Sequence, residues 1–185
     1  FAELYVNDAF GVSHRSHASV DAITNFLPSY SGILMQKEIE MLNQVTNSPN
    51  LPFTVILGGA KVSDKISVID NLKQKANSFV IGGGMAATFI HASGYKTGQS
   101  PIETEYTKFA ENLMLESQNT NFEMIIPKDV IVSEKFSIDS PYRTTSIDNI
   151  DDNEMILDIG PQSSIVFSEK INQSKTLLWN GPMGV

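Results

Sequence analysis

Residues Pro52–Lys65 read PFTVILGGAKVSDK: an apolar, β-branched run, a glycine pair, then two lysines four residues apart. Phe53–Leu57 has the composition of a buried strand. A strand that ends in Gly58-Gly59 and turns into a helix points backbone N–H groups and the positive end of the helix dipole out of the sheet. With a helix beginning at or near Ala60, Lys61 and Lys65 lie one turn apart on one face and can close on the same anion. Two readings stand at this point: a phosphate cradle, and a plain tight strand-to-helix turn with solvated lysines. The second lysine favours the cradle, since two cations on one face repel by about 0.2–0.5 kcal/mol unless an anion lies between them. The stretch is not a Walker loop, which needs a longer glycine loop and Ser or Thr directly after its lysine. Here Val62 follows Lys61.

The plan of strand, small residues and helix repeats downstream. Strands are expected at Phe53–Leu57, Ser78–Ile81, Glu123–Ile126, Met155–Asp158 and Thr176–Trp179, with helices at Asp64–Lys75, Ala86–Ala92, Ile102–Glu116 and Ser163–Gln173. Short, almost continuously apolar strands alternating with amphipathic helices predict a doubly wound parallel sheet of the α/β class, a Rossmann-like three-layer domain. Ser137–Asp152, rich in Ser, Thr and Asp, reads as an exposed excursion. Upstream, Leu4–Val6 reads as the end of a strand, Ser13–Ser19 as a donor-dense loop, and Ser31–Val45 carries a helical period that stops before Asn47-Ser48-Pro49.

Four of the five expected strands end in small or polar residues: Gly58-Gly59, Gly82-Gly83-Gly84, Gly160-Pro161 and Asn180-Gly181-Pro182. In an open parallel sheet these carboxyl ends line one edge, where ligands bind. Gly82–Ala87 also satisfies G-x-G-x-x-A, a dinucleotide pattern that expects an acid about 20 residues on, closing the next strand. No such residue is in place, and a flat purine against bare glycine backbone accounts for the three glycines better, beside the plain alternative of close helix–strand packing. His14 and His17, three apart with no third ligand nearby, make a poor zinc site. Arg15 between them has the planar fork that pairs with carboxylate or phosphate. His91, on an otherwise apolar helix, reads as structural.

The bulk numbers bound the partners. With 185 residues, 41% of them hydrophobic, the chain is long enough to fill a core. A net charge of -8 and a pI near 4.8 argue against a general binder of nucleic acid or anionic membrane. No apolar run reaches the roughly 18 to 20 residues that span a bilayer, and Phe1–Leu4 has no signal-peptide character. With no cysteine there is no disulfide framework or thiol chemistry. A cytoplasmic address is expected. The chain opens on Phe1 rather than Met and stops within a glycine-rich stretch at Val185, so it reads as a piece of a longer protein.

Six collinear motifs resemble the phosphoglycerate kinase family: YVNDAFGVSHRSHAS at Tyr5–Ser19, SGILMQKE at Ser31–Glu38, FTVILGGAKVSDK at Phe53–Lys65, VIGGGMAATF at Val80–Phe89, LDIGP at Leu157–Pro161 and LWNGPMGV at Leu178–Val185. The resemblance implies the end of a phosphoglycerate-binding domain (1–30), an interdomain helix (31–48) and an incomplete nucleotide-binding domain (49–185). It implies phosphoryl transfer between 1,3-bisphosphoglycerate and ADP, giving 3-phosphoglycerate and ATP, by a cytoplasmic monomer acting on small molecules. Arg15 then matches a ligand of the phosphoglycerate phosphate. Lys61 and Lys65 match the lysines on the nucleotide phosphates and the group in transfer, next to Gly59 and Ala60. Gly82, Gly83 and Gly84 match the adenine-side wall, and Gly160, Asn180, Pro182 and Val185 the nucleoside pocket.

The family also has a catalytic arginine before Tyr5 and, beyond Val185, an acid that contacts nucleotide and a GGGDT-type loop whose Asp holds the magnesium of ADP or ATP. These lie outside this sequence, so no metal ligand is assigned within it and the chain alone is expected to be inactive. Val12 stands where Thr or Ser is expected. Two other classes remain beside the kinase: a non-catalytic nucleotide-binding module and an NAD-dependent oxidoreductase.

Overall fold

The computed structural model describes residues 2–185; Phe1, where the expected first-domain segment begins, lies outside the described residues. The chain divides into two units, one ending at Pro49 and the other running Asn50–Val185.

In the first unit β1 (Tyr5–Asn7) pairs in parallel with β2 (Ser29–Ser31), and α1 (Ile33–Asn47) follows at once. The N-cap of α1 is Gly32, which has no side-chain oxygen to offer the first turn. Asp8, one residue past β1, supplies it from a distance, accepting from Met35 N at 2.9 Å. The Ser13–Ser19 loop follows a 3-10 turn at Phe10–Val12, and Arg15 in it is exposed.

The second unit is built on a four-stranded, all-parallel sheet in the order β5-β4-β3-β9: Glu123–Ile125, Ser78–Ile81, Phe53–Leu57 and Thr176–Asn180. Every residue of β3 and β4 is buried, which explains why these two segments read as almost continuously apolar runs. Their boundaries are those expected from the sequence. Helices α2 (Ile66–Leu72), α3 (Met85–Ala92), α4 (Thr107–Gln118) and α5 (Pro161–Gln173) alternate with the strands. Phe167 of α5 packs on Ile56, Val80 and Ile125 of the sheet. Phe79 meets Phe122 edge to face, with ring centroids 5.6 Å apart. From β3 the chain builds outward through β4 and β5, then returns to place β9 on the other side of β3. The topological switch therefore falls between β3 and β9, where crevices open in such sheets.

Three expectations are corrected. Met155–Asp158 is not a strand of the parallel sheet: as β8 (Met155–Ile159) it joins β6 (Asp129–Ser133) and β7 (Tyr142–Ser146) in a separate antiparallel sheet, order β7-β6-β8. The Ser137–Asp152 segment is not simply an exposed excursion, because it holds β7 and buries Ile147 and Ile150 beside Ile90, Val130 and Val132. Tyr-Arg-Thr-Thr-Ser carries no apolar alternation; its strand character comes from pairing with β6. Finally, no α-helix begins at Ala60. A 3-10 turn at Ser63–Lys65 leads into α2 at Ile66, so Lys61 precedes the helix and Lys65 is its N-cap.

Candidate functional site

The carboxyl ends of β3, β4 and β9 are sewn together by backbone. Gly58 N donates to Asn180 O at 2.9 Å, Gly59 N to Pro182 O at 2.8 Å, Gly82 N to Leu57 O at 2.9 Å and Gly83 N to Met183 O at 2.6 Å. These four N–H groups are therefore spent within the protein, which corrects the expectation of bare donors at the strand ends. The glycines are needed because the loops approach so closely. Gly83 has φ +65°, and a Cβ there would sit 2.5 Å from Gly59 N and 2.7 Å from Pro182 O. The corresponding space at Gly82 is taken by the Met183 side chain, so Gly82 is a packing residue, while Gly84 is exposed and leaves bare backbone toward solvent. Around Gly59 and Ala60 the picture is different. No heavy atom lies within 4 Å of where a Gly59 side chain would begin, and Ala60 and Lys61 are exposed.

The two lysines do not share a helix face, because the turn between them is 3-10 rather than α. Lys65 reaches across the switch point, its Nζ donating to Asn180 Oδ1 at 2.6 Å, and so joins two residues 115 apart in sequence. Lys61 lies in the field of Glu103, a residue to which the sequence reading gave no role. Glu103 accepts hydrogen bonds from Val62 N, from Ser63 N at 3.1 Å and from Ser63 Oγ at 2.7 Å. Burial pushes its carboxyl up, but these donors and the charge of Lys61 outweigh that and hold it below the ordinary carboxylate range.

Two clefts meet at Val185. One, of about 550 Å³, runs between the end of β8 and the loop after β9 and is lined by Asp158, Gly160, Trp179 and Gly184. The other, of about 430 Å³, is apolar, lined by Phe136, Ile138, Tyr142 and Leu157 with Val185. Val185 N donates to Leu157 O at 3.2 Å and ties the two together. Trp179 is largely exposed, its indole N–H held by Gly181 O at 2.8 Å. Gly160 belongs to the first cleft, although its strand lies outside the parallel sheet. Its N–H is taken by Asp129 O, and the space beside it by the Asp129 carboxylate. Of this aromatic lining, Tyr142 falls in the Ser137–Asp152 segment expected to be an exposed excursion, and Phe136 directly precedes it. Asp158 stands inside the quoted LDIGP motif, where only the glycine and proline drew attention.

Arg15 lies in the first unit, its Nε directed to His14 Nε2 at 3.4 Å. Among the described residues no group of three or more His, Cys, Asp or Glu is placed to hold a metal ion. No helix among them is long and apolar enough to cross a membrane. The amides of Gly82 and Gly83 are occupied, and β5 beside the glycine loop runs into Ile126-Pro127.

A parallel sheet with alternating helices, and a switch point edged by glycine loops, define an α/β protein of the Rossmann-like, doubly wound class. The sequence profile of the phosphoglycerate kinase family matches residues 1–185. The chain is 48% identical over 185 residues to the phosphoglycerate kinase of Pseudothermotoga lettingae, and 44% identical over 184 residues to that of Moorella thermoacetica. In each case it covers 100% of this chain and 47% of the relative. It superposes on the phosphoglycerate kinase of Coxiella burnetii with a TM-score of 0.88 at 35% identity, over 99% of this chain and 47% of the other. Against the enzyme of Pyrococcus horikoshii OT3 the TM-score is 0.81 at 29% identity, over 98% of this chain and 47% of that one. The chain belongs to the phosphoglycerate kinase family, and it spans about half the length of the curated relatives it matches.

Proposed function

We propose that this chain forms the nucleotide side of a phosphoglycerate kinase, which moves a phosphoryl group between 1,3-bisphosphoglycerate and ADP to give 3-phosphoglycerate and ATP. The observation that carries the reading is the Lys65–Asn180 contact across the switch point. It sets an ammonium group at the carboxyl edge of the sheet, beside the open space at Gly59, Ala60 and exposed Lys61. In the transfer an oxygen of the ADP β-phosphate attacks the phosphorus of the acyl phosphate. The new P–O bond forms as the bond to the acyl oxygen breaks, and the carboxylate of 3-phosphoglycerate leaves. Such a transfer asks of the protein mainly alignment and positive charge on the phosphoryl oxygens. Lys61 and Lys65 are the groups of this chain assigned to that charge.

The base has the apolar cleft of Phe136, Tyr142, Leu157 and Val185 to enter, where an aromatic ring stacks and excludes water. Gly160, Asn180 and Pro182 sit around the ribose side, and exposed Gly84 with Gly83 forms the wall toward the loops. Arg15 is assigned to the phosphate of the phosphoglycerate, and α1 to the connection between the two domains of the longer protein. Small molecules are the partners, in the cytoplasm, with the protein a monomer. Magnesium would accompany the nucleotide phosphates.

Calorimetric titration of the chain with MgADP and, separately, with NAD tests the assignment. Measurable binding of MgADP with none of NAD is expected. A preference for NAD overturns it.

A further inference from the structure

We infer that Glu103 is a positioning residue for the phosphate side of this site, acting through the turn that carries Lys61 and Lys65. The inference rests on the nucleotide reading above. Glu103 lies 40 residues from that turn in sequence, on the connection between α3 and α4, yet its carboxylate takes both consecutive amides Val62 and Ser63 and the Ser63 hydroxyl. The turn needs such a group. Its N-cap is Val62, which has no side-chain oxygen, and its first N–H groups would otherwise point at nothing. Glu103 is itself held, its N–H donating to Thr88 Oγ1 of buried α3 at 3.1 Å. Val62 is fully buried, so the turn is pinned from below by a side chain and from the side by a carboxylate.

Lys61 immediately precedes this pinned pair and Lys65 follows it by two residues. Whatever fixes Val62 and Ser63 therefore fixes the starting points of both lysine side chains. A phosphate bound by two flexible ammonium groups gains only if their stems begin in the right places, and a displacement of about 1 Å is enough to lose most of that gain. The negative charge of Glu103 also offsets the nearby Lys61 ammonium group before ligand arrives. The Glu103 carboxylate is committed to the donors of Val62 and Ser63, so its effect should fall on phosphate recognition through the lysine-bearing turn and leave base recognition alone.

The test compares wild-type chain with Glu103→Gln, titrated with MgADP and with adenosine while amide signals are followed by NMR. Gln keeps the size and one acceptor oxygen but turns an NH2 toward donors, losing part of the clasp. Expected is a rise of about tenfold or more in the MgADP dissociation constant with adenosine binding unchanged. Exchange of the Val62 and Ser63 amides should accelerate by about tenfold or more. Equal MgADP affinity in the two proteins, or an equal loss for adenosine, overturns the inference. If wild type binds neither ligand, the nucleotide reading fails, and the amide exchange alone then decides whether Glu103 pins the turn: unchanged rates reject it. Should Glu103→Gln not fold, Glu103→Asp, which keeps the charge but shortens the reach by one methylene, serves with the same outcomes.

Discussion

Removing the charge of Lys65 separates the work of its ammonium group from that of the fold. Lys65 Nζ meets Asn180 Oδ1 at 2.6 Å in a contact open to solvent, and hydrogen bonds of that kind contribute about 0.5–1.5 kcal/mol net. Lys65→Met should therefore lower the urea midpoint only slightly. MgADP affinity should fall about tenfold or more and adenosine affinity should hold, which titration of both ligands checks. The opposite profile is expected of Gly83→Ala. With φ at +65° and Gly59 N and Pro182 O filling the space of its Cβ, a methyl group strains the backbone and pushes apart the loops after β3 and β9. The cost should exceed about 1–3 kcal/mol in urea unfolding, with MgADP and adenosine binding lost together. Both residues stand out in the sequence by their spacing, which does not separate the two kinds. A lysine on a ligand and a glycine in a close approach are both short patterns in one chain. Which amides are free and which are spent on Asn180, Pro182 and Met183 is a fact of tertiary contact.

The elements most legible in the sequence were those buried on both faces. β3 and β4 have the boundaries their largely apolar runs predicted, because burial on both faces admits few polar residues, here only the small hydroxyls of Thr54 and Ser78, and the run itself marks its limits. β6 and β7 were lost for the opposite reason. Asp129 and Ser133 flank a run of only three apolar residues, and β7 carries Arg143 in an ion pair with Glu154 at 2.7 Å where an alternating strand would show an apolar position. The polar residue that broke the pattern at Asp129 is structural. It is buried and accepts from Ser163 N at 2.7 Å and Gln162 N at 3.0 Å, with the Ser163 hydroxyl 2.6 Å away, and so caps α5 from another sheet. Burial pushes its carboxyl up, and the donors from Ser163 and Gln162 more than reverse that. Asp129 and Glu103 thus bind a proton less readily folded than unfolded. The stability they contribute is complete above the ordinary carboxylate range and is lost as pH falls through their lower folded values. Asp129→Asn should cost about 1–3 kcal/mol near neutral pH and progressively less in acid, so the urea midpoints of variant and wild type should converge as the buffer is acidified. A constant gap across that series would show that Asp129 acts by shape and not by charge.

The two units differ in what holds them. Among the described residues up to Pro49, Met35 is the single large apolar side chain that is buried, while Ile33, Leu34, Met41, Phe26 and Tyr30 stay exposed. One fully buried Met contributes about 1.5–3 kcal/mol, no more than the backbone cost of ordering two or three residues. What orders α1 locally is the Asp8 cap on Met35 N and the short parallel pair of β1 and β2. The unit from Asn50 onward buries Phe53, Phe79, Phe89, Ile56, Leu57 and Ile69 completely, around a sheet with every central strand covered. Apolar residues recur through Ser31–Val45 at helical spacing, yet most of them are exposed, a fact that periodicity alone does not carry. Local stability should follow burial. In this 185-residue chain the amides of Ile33–Asn47 should exchange at least about 100-fold faster than those of β3 and β4, and protease should cut before Pro49 first, leaving a resistant product that begins near Asn50. Both are read by mass spectrometry on one sample. Comparable protection of α1 and β3 would mean that the exposed face of α1 is covered in solution, and Ile33→Ser, which touches the most exposed of those residues, would then accelerate exchange in α1 and not in β3.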